Sequence, residues 1–177
     1  MENAEKRVDI KDVSFTSTDG TSTIHARIWR PLGTFGERPR AIVQIVHGMS
    51  EHVRRYDEFA RYLCGRGYAV CGDDHIGHGA SAAPDKRGCM PARNGNEVLI
   101  DDEHALRALV SAEFPADTPY VFFGHSMGSF ITRCYLGRHG EGLAAAVICG
   151  TGTIPVVVSR AGHATARVLA AVRGDDY

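Results

Sequence analysis

Long apolar runs are missing from this sequence. No stretch reaches the roughly 20 residues that a helix needs to cross a bilayer, which excludes a helical membrane span. Blocks of like charge are missing too. Twenty basic residues stand against 21 acidic ones, the net charge is −1, and no run of lysines or arginines stands out. A nucleic-acid backbone or an anionic membrane surface would therefore meet no basic patch, and neither is expected as a partner. The opening residues, Met1 to Asp12, are charged throughout and lack the apolar centre of a secretion signal. Cysteines are few. Cys64, Cys71, Cys89, Cys134 and Cys149 are odd in number and show no C-x-x-C spacing, which argues against a disulfide framework or a structural zinc site. Buried thiols in a reducing cytoplasm are the expectation.

What is present suits one globular domain with a sizeable core, since 44% of the 177 residues are hydrophobic. Val13, Phe15 and Ser17 alternate, Asp19-Gly20 turns the chain, and Ile24, Ala26 and Ile28 alternate with His25, Arg27 and Trp29, which predicts a β-hairpin. Ala41 to Val46 is a continuous apolar run, the pattern of a strand covered on both faces. Tyr56, Phe59, Ala60 and Leu63 form a helical stripe ended by Gly65 and Gly67. Tyr68 to Cys71 predicts a short strand, and residues 72–95 a long loop. Leu106, Leu109, Val110 and Phe114 mark a second helix, stopped by Pro115. Tyr120 to Phe123 and Leu143 to Cys149 predict buried strands, with a helix over Met127 to Leu136 between them and a last helix over Ser159 to Val172. Strands alternating with helices imply an α/β fold with a mostly parallel sheet and right-handed crossovers.

The strongest chemical signal is Gly124-His125-Ser126-Met127-Gly128, a G-x-S-x-G sequence. An apolar strand precedes it and a helical pattern follows at once. That strand–turn–helix context is the nucleophile elbow, in which a strained turn presents the serine hydroxyl at the head of a helix. Side chains two residues either side would collide, which accounts for Gly124 and Gly128. A second signal, His47-Gly48-Met49, ends the first buried strand. In an elbow-containing fold the loop there supplies one backbone N–H to an oxyanion hole, and the residue after the nucleophile supplies the other. That assigns Met49 and Met127 as donors, with His47, Gly48 and His125 shaping the loops. Asp73, Asp74, His75 and His78 crowd one glycine-rich stretch, but a third group of ligands is not evident, and the spacing fits a tight loop better than a metal site. No metal or cofactor is expected. His25, His52, His104, His139 and His163 read as surface or packing residues.

Together these residues resemble a known family. The run HGMSEHVRRYDEFARYLCGRGYAVCGDDHIGHGASAAPDKRG, followed by GHSMGS, is similar to the monoglyceride lipase and lysophospholipase group of α/β hydrolases, the serine aminopeptidase S33 family. Ser129 stands where the family's usual pattern has a further glycine. The resemblance implies the α/β-hydrolase fold. It also implies a cofactor-independent serine hydrolase acting on carboxylic esters of the monoacylglycerol or lysophospholipid type, with Ser126 as nucleophile. Triad order in this fold is serine, then acid, then histidine. Only 51 residues follow Ser126, and neither His139 nor His163 sits in a strand-end loop of the expected kind. The expectation is therefore an N-terminal portion of such a hydrolase. Residues 1–157 would belong to the hydrolase domain and 158–177 would begin a lid. The truncation would fall before the last strands, with no triad acid or base present and an exposed strand edge prone to self-association. A non-catalytic binding domain and an S33-type aminopeptidase are the alternatives.

Overall fold

The computed structural model describes residues 8–91 and 94–174. The hairpin consists of β1 (Val8–Thr16) and β2 (Thr23–Pro31), antiparallel with Val8 opposite Pro31. It joins β3 (Ile42–Val46), β4 (Ala69–Asp74), β5 (Tyr120–His125) and β6 (Ala145–Cys149) in a six-stranded sheet of order β1-β2-β4-β3-β5-β6. From β4 to β6 every pairing is parallel, and only β2 runs against the other strands. The helices are α1 (Asp57–Cys64), α2 (Gly95–Ser111), α3 (Met127–His139) and α4 (Val156–Arg173). Among the described residues, no helix is long and apolar enough to cross a membrane.

Side chains alternate across the central strands, so the two faces of the sheet carry separate cores. Ile42, Val46, Cys71 and Phe122 pack with Leu106 and Val110 of α2 and Ile131 and Tyr135 of α3. Val43, Ile45 and Val70 pack on the other face with Ala60 and Cys64 of α1. Trp29 belongs to this second core and is fully buried, its indole N–H donating to Asp57 at 2.8 Å. The alternation in β2 thus separates a buried face from a wet one only as far as Arg27, because α1 covers the second face at Trp29.

Three further boundaries differ from expectation. Gly72-Asp73-Asp74 is the buried end of β4, not loop. A side chain at Gly72 would stand 2.7 Å from the Ile45 carbonyl oxygen, so glycine here serves close strand packing. Helix α2 begins at Gly95, well before its apolar stripe, and Phe114 lies in the turn beyond it. The sequence of β6 reads as a buried strand, yet it is half-exposed, with Val147 47% accessible. It pairs with β5 alone, and no described element covers its outer edge.

Candidate active site

The strand order reverses at β3. The chain leaves β3 for β4 on one side and returns to β5 on the other. Such a reversal opens a crevice at the carboxyl ends of the strands, the usual ligand position in open α/β sheets. Two loops meet there, His47-Gly48-Met49 after β3 and His125-Ser126 after β5.

Ser126 is the turn between β5 and α3, with φ +54° and ψ −119°. A non-glycine residue there is strained, and the strain is held by its surroundings. The Ser126 N–H donates to the Cys149 carbonyl at the end of β6 at 2.9 Å. Its own carbonyl accepts from the Ser129 N–H (2.9 Å) and hydroxyl (2.6 Å). Ser129, the departure from the family's glycine, thereby secures the turn. Gly124 and Gly128 are required by contact. A Cβ on Gly124 would meet the Gly128 carbonyl oxygen at 2.6 Å, and one on Gly128 would strike the Val46 carbonyl. Gly128 is thus where α3 presses against the end of β3.

The opposite loop is fixed by Glu51. Its Oε1 accepts the Gly48 N–H (2.5 Å) and the Tyr56 hydroxyl (2.8 Å). The Nδ1 of His125 lies 3.0 Å from the Tyr56 oxygen and 3.2 Å from Glu51, so it faces oxygen on both sides and carries the proton. Burial works to raise the Glu51 pKa, but the Tyr56, Gly48 and His125 hydrogen bonds prevail and lower it. The Met49 N–H donates to no backbone carbonyl among the described residues. Met127 opens α3, and its N–H lies outside the helix ladder. Both residues line one cavity of about 840 Å³, with Met90, His52, His78 and Arg87. The cavity joins flexible apolar side chains to a polar rim, a lining suited to an ester with one fatty end.

All nine histidines are described, and none is hydrogen-bonded to the Ser126 hydroxyl. His139 ends α3, about 20 Å from Ser126 at the helical rise. It bonds Asp101 at 3.0 Å and stacks on His104. His163 is exposed on α4. Beneath the site, Asp73, His75 and Glu103 are brought together in the core, with ligand atoms within 4.8 Å of one another. Glu103 is the third group that the sequence reading lacks. A signal for it exists: Glu103, Leu106 and Val110 fall at i, i+3 and i+7, which puts the carboxyl on the buried face of α2. Glu51 and Tyr56 carry no motif of their own that marks them as site residues, although both lie within the stretch that resembles the family.

The strand order, the flanking helices and the sharp turn at Ser126 define an α/β-hydrolase fold. Residues 37–174 match the family described as serine aminopeptidase, S33, and the chain belongs to that family. It is 34% identical to mouse monoglyceride lipase over 109 residues, 62% of this chain and 33% of that protein. It is 30% identical to a monoacylglycerol lipase of Mycolicibacterium smegmatis, over 82% of this chain and 50% of that one. The crystal structure of a thermostable carboxyl esterase from Bacillus coagulans is similar at a TM-score of 0.80 and 37% identity, covering 90% of this chain and 50% of the esterase. The chain thus spans a third to a half of the length of these relatives.

Proposed function

We propose that this chain carries the nucleophile half of a serine ester hydrolase. The Ser126 oxygen attacks the acyl carbonyl carbon and its proton passes to a base. The alcohol leaves, and water then releases the acyl group from the serine. The N–H groups of Met49 and Met127 hold the oxyanion, each contributing on the order of 3 kcal/mol to the transition state. Monoacylglycerols or lysophospholipids are the substrate class: the relatives' names support the first, and the methionine-lined cavity suits either. The observation that carries this reading is the positive φ of Ser126 at the β3/β5 crevice, beside a loop whose Met49 N–H is unengaged by backbone. The five thiols are free, which suits a reducing cytoplasm.

A non-catalytic binding domain of the same fold is the second reading. It is favoured by one observation, the lack of any imidazole on the Ser126 hydroxyl. The test is hydrolysis of a short-chain p-nitrophenyl ester by this chain and by Ser126→Ala. Without an engaged base, steady turnover is expected near background in both. Turnover that disappears in Ser126→Ala would show that a base reaches the serine after all. The two readings part on acylation of Ser126 itself, which only the hydrolase reading requires to outpace that of an exposed serine.

A further inference from the structure

A cluster that the proposed chemistry does not use lies under the His47–Met49 loop. Asp73 near the end of β4, His75 just after it and Glu103 of α2 are at most 1% exposed. The Nδ1 of His75 is 3.3 Å from Asp73 Oδ1 and 3.3 Å from Glu103 Oε1, and its Nε2 is 3.1 Å from the His47 carbonyl oxygen. Every neighbour of the ring nitrogens is an oxygen acceptor, so the ring carries two protons. An imidazolium beside two carboxylates would still leave one negative charge in a dry site, where an unpaired charge is very costly. A proton on Glu103 removes it. Gln44 donates to Glu103 Oε2 at 2.5 Å, which leaves Oε1 free. Asp73 Oδ1 and Glu103 Oε1 are buried and have no other hydrogen-bond partner. The ligating atoms of Asp73, His75 and Glu103 all lie within 4.8 Å of one another, so a proton on Glu103 sits beside the Asp73 charge.

The electrostatics agree in direction. Burial and the Asp73 charge push Glu103 well above the usual carboxylate range. Burial alone would lower His75, but Asp73 and Glu103 raise it to about 9. Burial and the nearby His75 hold His47 down to about 3, so His47 is neutral. The groups facing His75 are His47 just after β3, Asp73 from β4, Glu103 from α2 and His78 from the following loop, while Gln44 of β3 bonds Glu103. Tyr120 reaches the cluster through Gln44, and Cys71 through Tyr120.

His75 grips His47 at three points. Its backbone N–H donates to His47 Nε2 (3.1 Å), its ring Nε2–H donates to the His47 carbonyl (3.1 Å), and the rings stack at 3.7 Å. His47 in turn donates from Nδ1 to the Gly48 carbonyl at 2.7 Å. We propose that His75 is a positioning residue for the oxyanion loop, kept doubly protonated by Asp73 and Glu103 so that it clamps His47 and sets the place of Met49. This rests on the reading of the Met49 N–H as an oxyanion donor.

The test is NMR of the full chain through a pH series, following the ring nitrogens of His75 and the backbone of Gly48 and Met49. The wild type should keep both ring nitrogens protonated at pH 7, and the Gly48 and Met49 resonances should move with the His75 midpoint. Glu103→Gln imitates the neutral acid and should leave this pattern in place. Asp73→Asn removes the counter-charge, so the midpoint should fall by about 2 pH units and the loop resonances should follow it. A neutral His75 at pH 7 in the wild type, or a loop that ignores its titration, overturns the proposal. So does stoichiometric uptake of zinc at the cluster in place of its protons. If Asp73→Asn does not fold, the wild type and Glu103→Gln decide alone. These signals need no ester turnover, so failure of the Ser126 reading and failure of the clamp are seen in separate experiments.

Discussion

Gly48 and Ser126 face each other across the mouth of the crevice. A methyl group on Gly48 would stand 3.1 Å from the Ser126 Cβ and 2.7 Å from Glu51 Oε1. The close approach puts the backbone of the β3 loop within reach of an adduct on the serine. Gly48→Ala should therefore displace Ser126 or break the Glu51 hydrogen bond. Acylation of Ser126 should fall about 100-fold, the scale of one lost oxyanion donor, while the fold survives. Reaction progress by intact-protein mass spectrometry, with a thermal melt alongside, checks both halves.

Two glycines of the same helix should behave oppositely. Gly128 presses against the carbonyls of Val46 and His47, whereas nothing lies within 4 Å of a Cβ on Gly137. Gly128→Ala should destabilise the protein by about 3 kcal/mol or more, because backbone must move. Gly137→Ala should stabilise it by up to about 1 kcal/mol through helix propensity. Urea titrations of the two variants make the comparison.

Stability should peak on the weakly acidic side of neutrality and fall on the alkaline side. His75 is raised in the folded state, so its contribution is complete below pH 6.5 and is lost as pH climbs through about 9. Glu103, also raised, contributes stability that is complete below about pH 4.5 and is lost as pH rises from there. His47 is depressed to about 3, so its contribution is present above pH 6.5 and is lost on the acid side. The alkaline limb should amount to about 3 kcal/mol, and Asp73→Asn should flatten it. Denaturant unfolding at pH 6 to 10 measures it.

Local signals made most of this architecture legible. The apolar run at Ala41–Val46 and the G-x-S-x-G turn locate β3 and the β5–α3 elbow, because a doubly covered strand and a strained turn each demand particular residues. The α2 start is less visible. Asp102 looks like a surface residue, yet it accepts the Ser17 hydroxyl and the Thr18 N–H across the hairpin turn. Those partners lie more than 80 residues away, and no local pattern reports them. Asp73 misleads for the same reason: it reads as loop until Glu103 and His75 close around it. The exposure of β6 also lies beyond periodicity, since an apolar run says nothing of what stands beside it.

That exposure bears on behaviour in solution. Among the described residues β6 has an open edge, and α4 has no buried residue, with Val157 78% and Val172 77% exposed. Unpaired strand edges and apolar patches of this kind promote association. The chain should self-associate at tens of micromolar, an order set by the strength of ordinary weak protein contacts. Lysine in place of Val147, on the exposed strand, should reduce it. A monodisperse wild-type monomer in sedimentation velocity would be the contrary result.

The most direct test of the central claim is to ask which side chain takes an acyl group. The chain is incubated with p-nitrophenyl acetate at about pH 8, below the titration of His75, where hydroxide can serve as the base, and the modified residues are mapped by peptide mass spectrometry. Ser126 should be acylated at least about 10-fold faster than the exposed Ser159, because two backbone donors stabilise the oxyanion formed only there. Acyl groups spread evenly over serines, with Ser126 no faster than Ser159, would mean that the elbow is an idle turn and that the assignment of Ser126 is wrong.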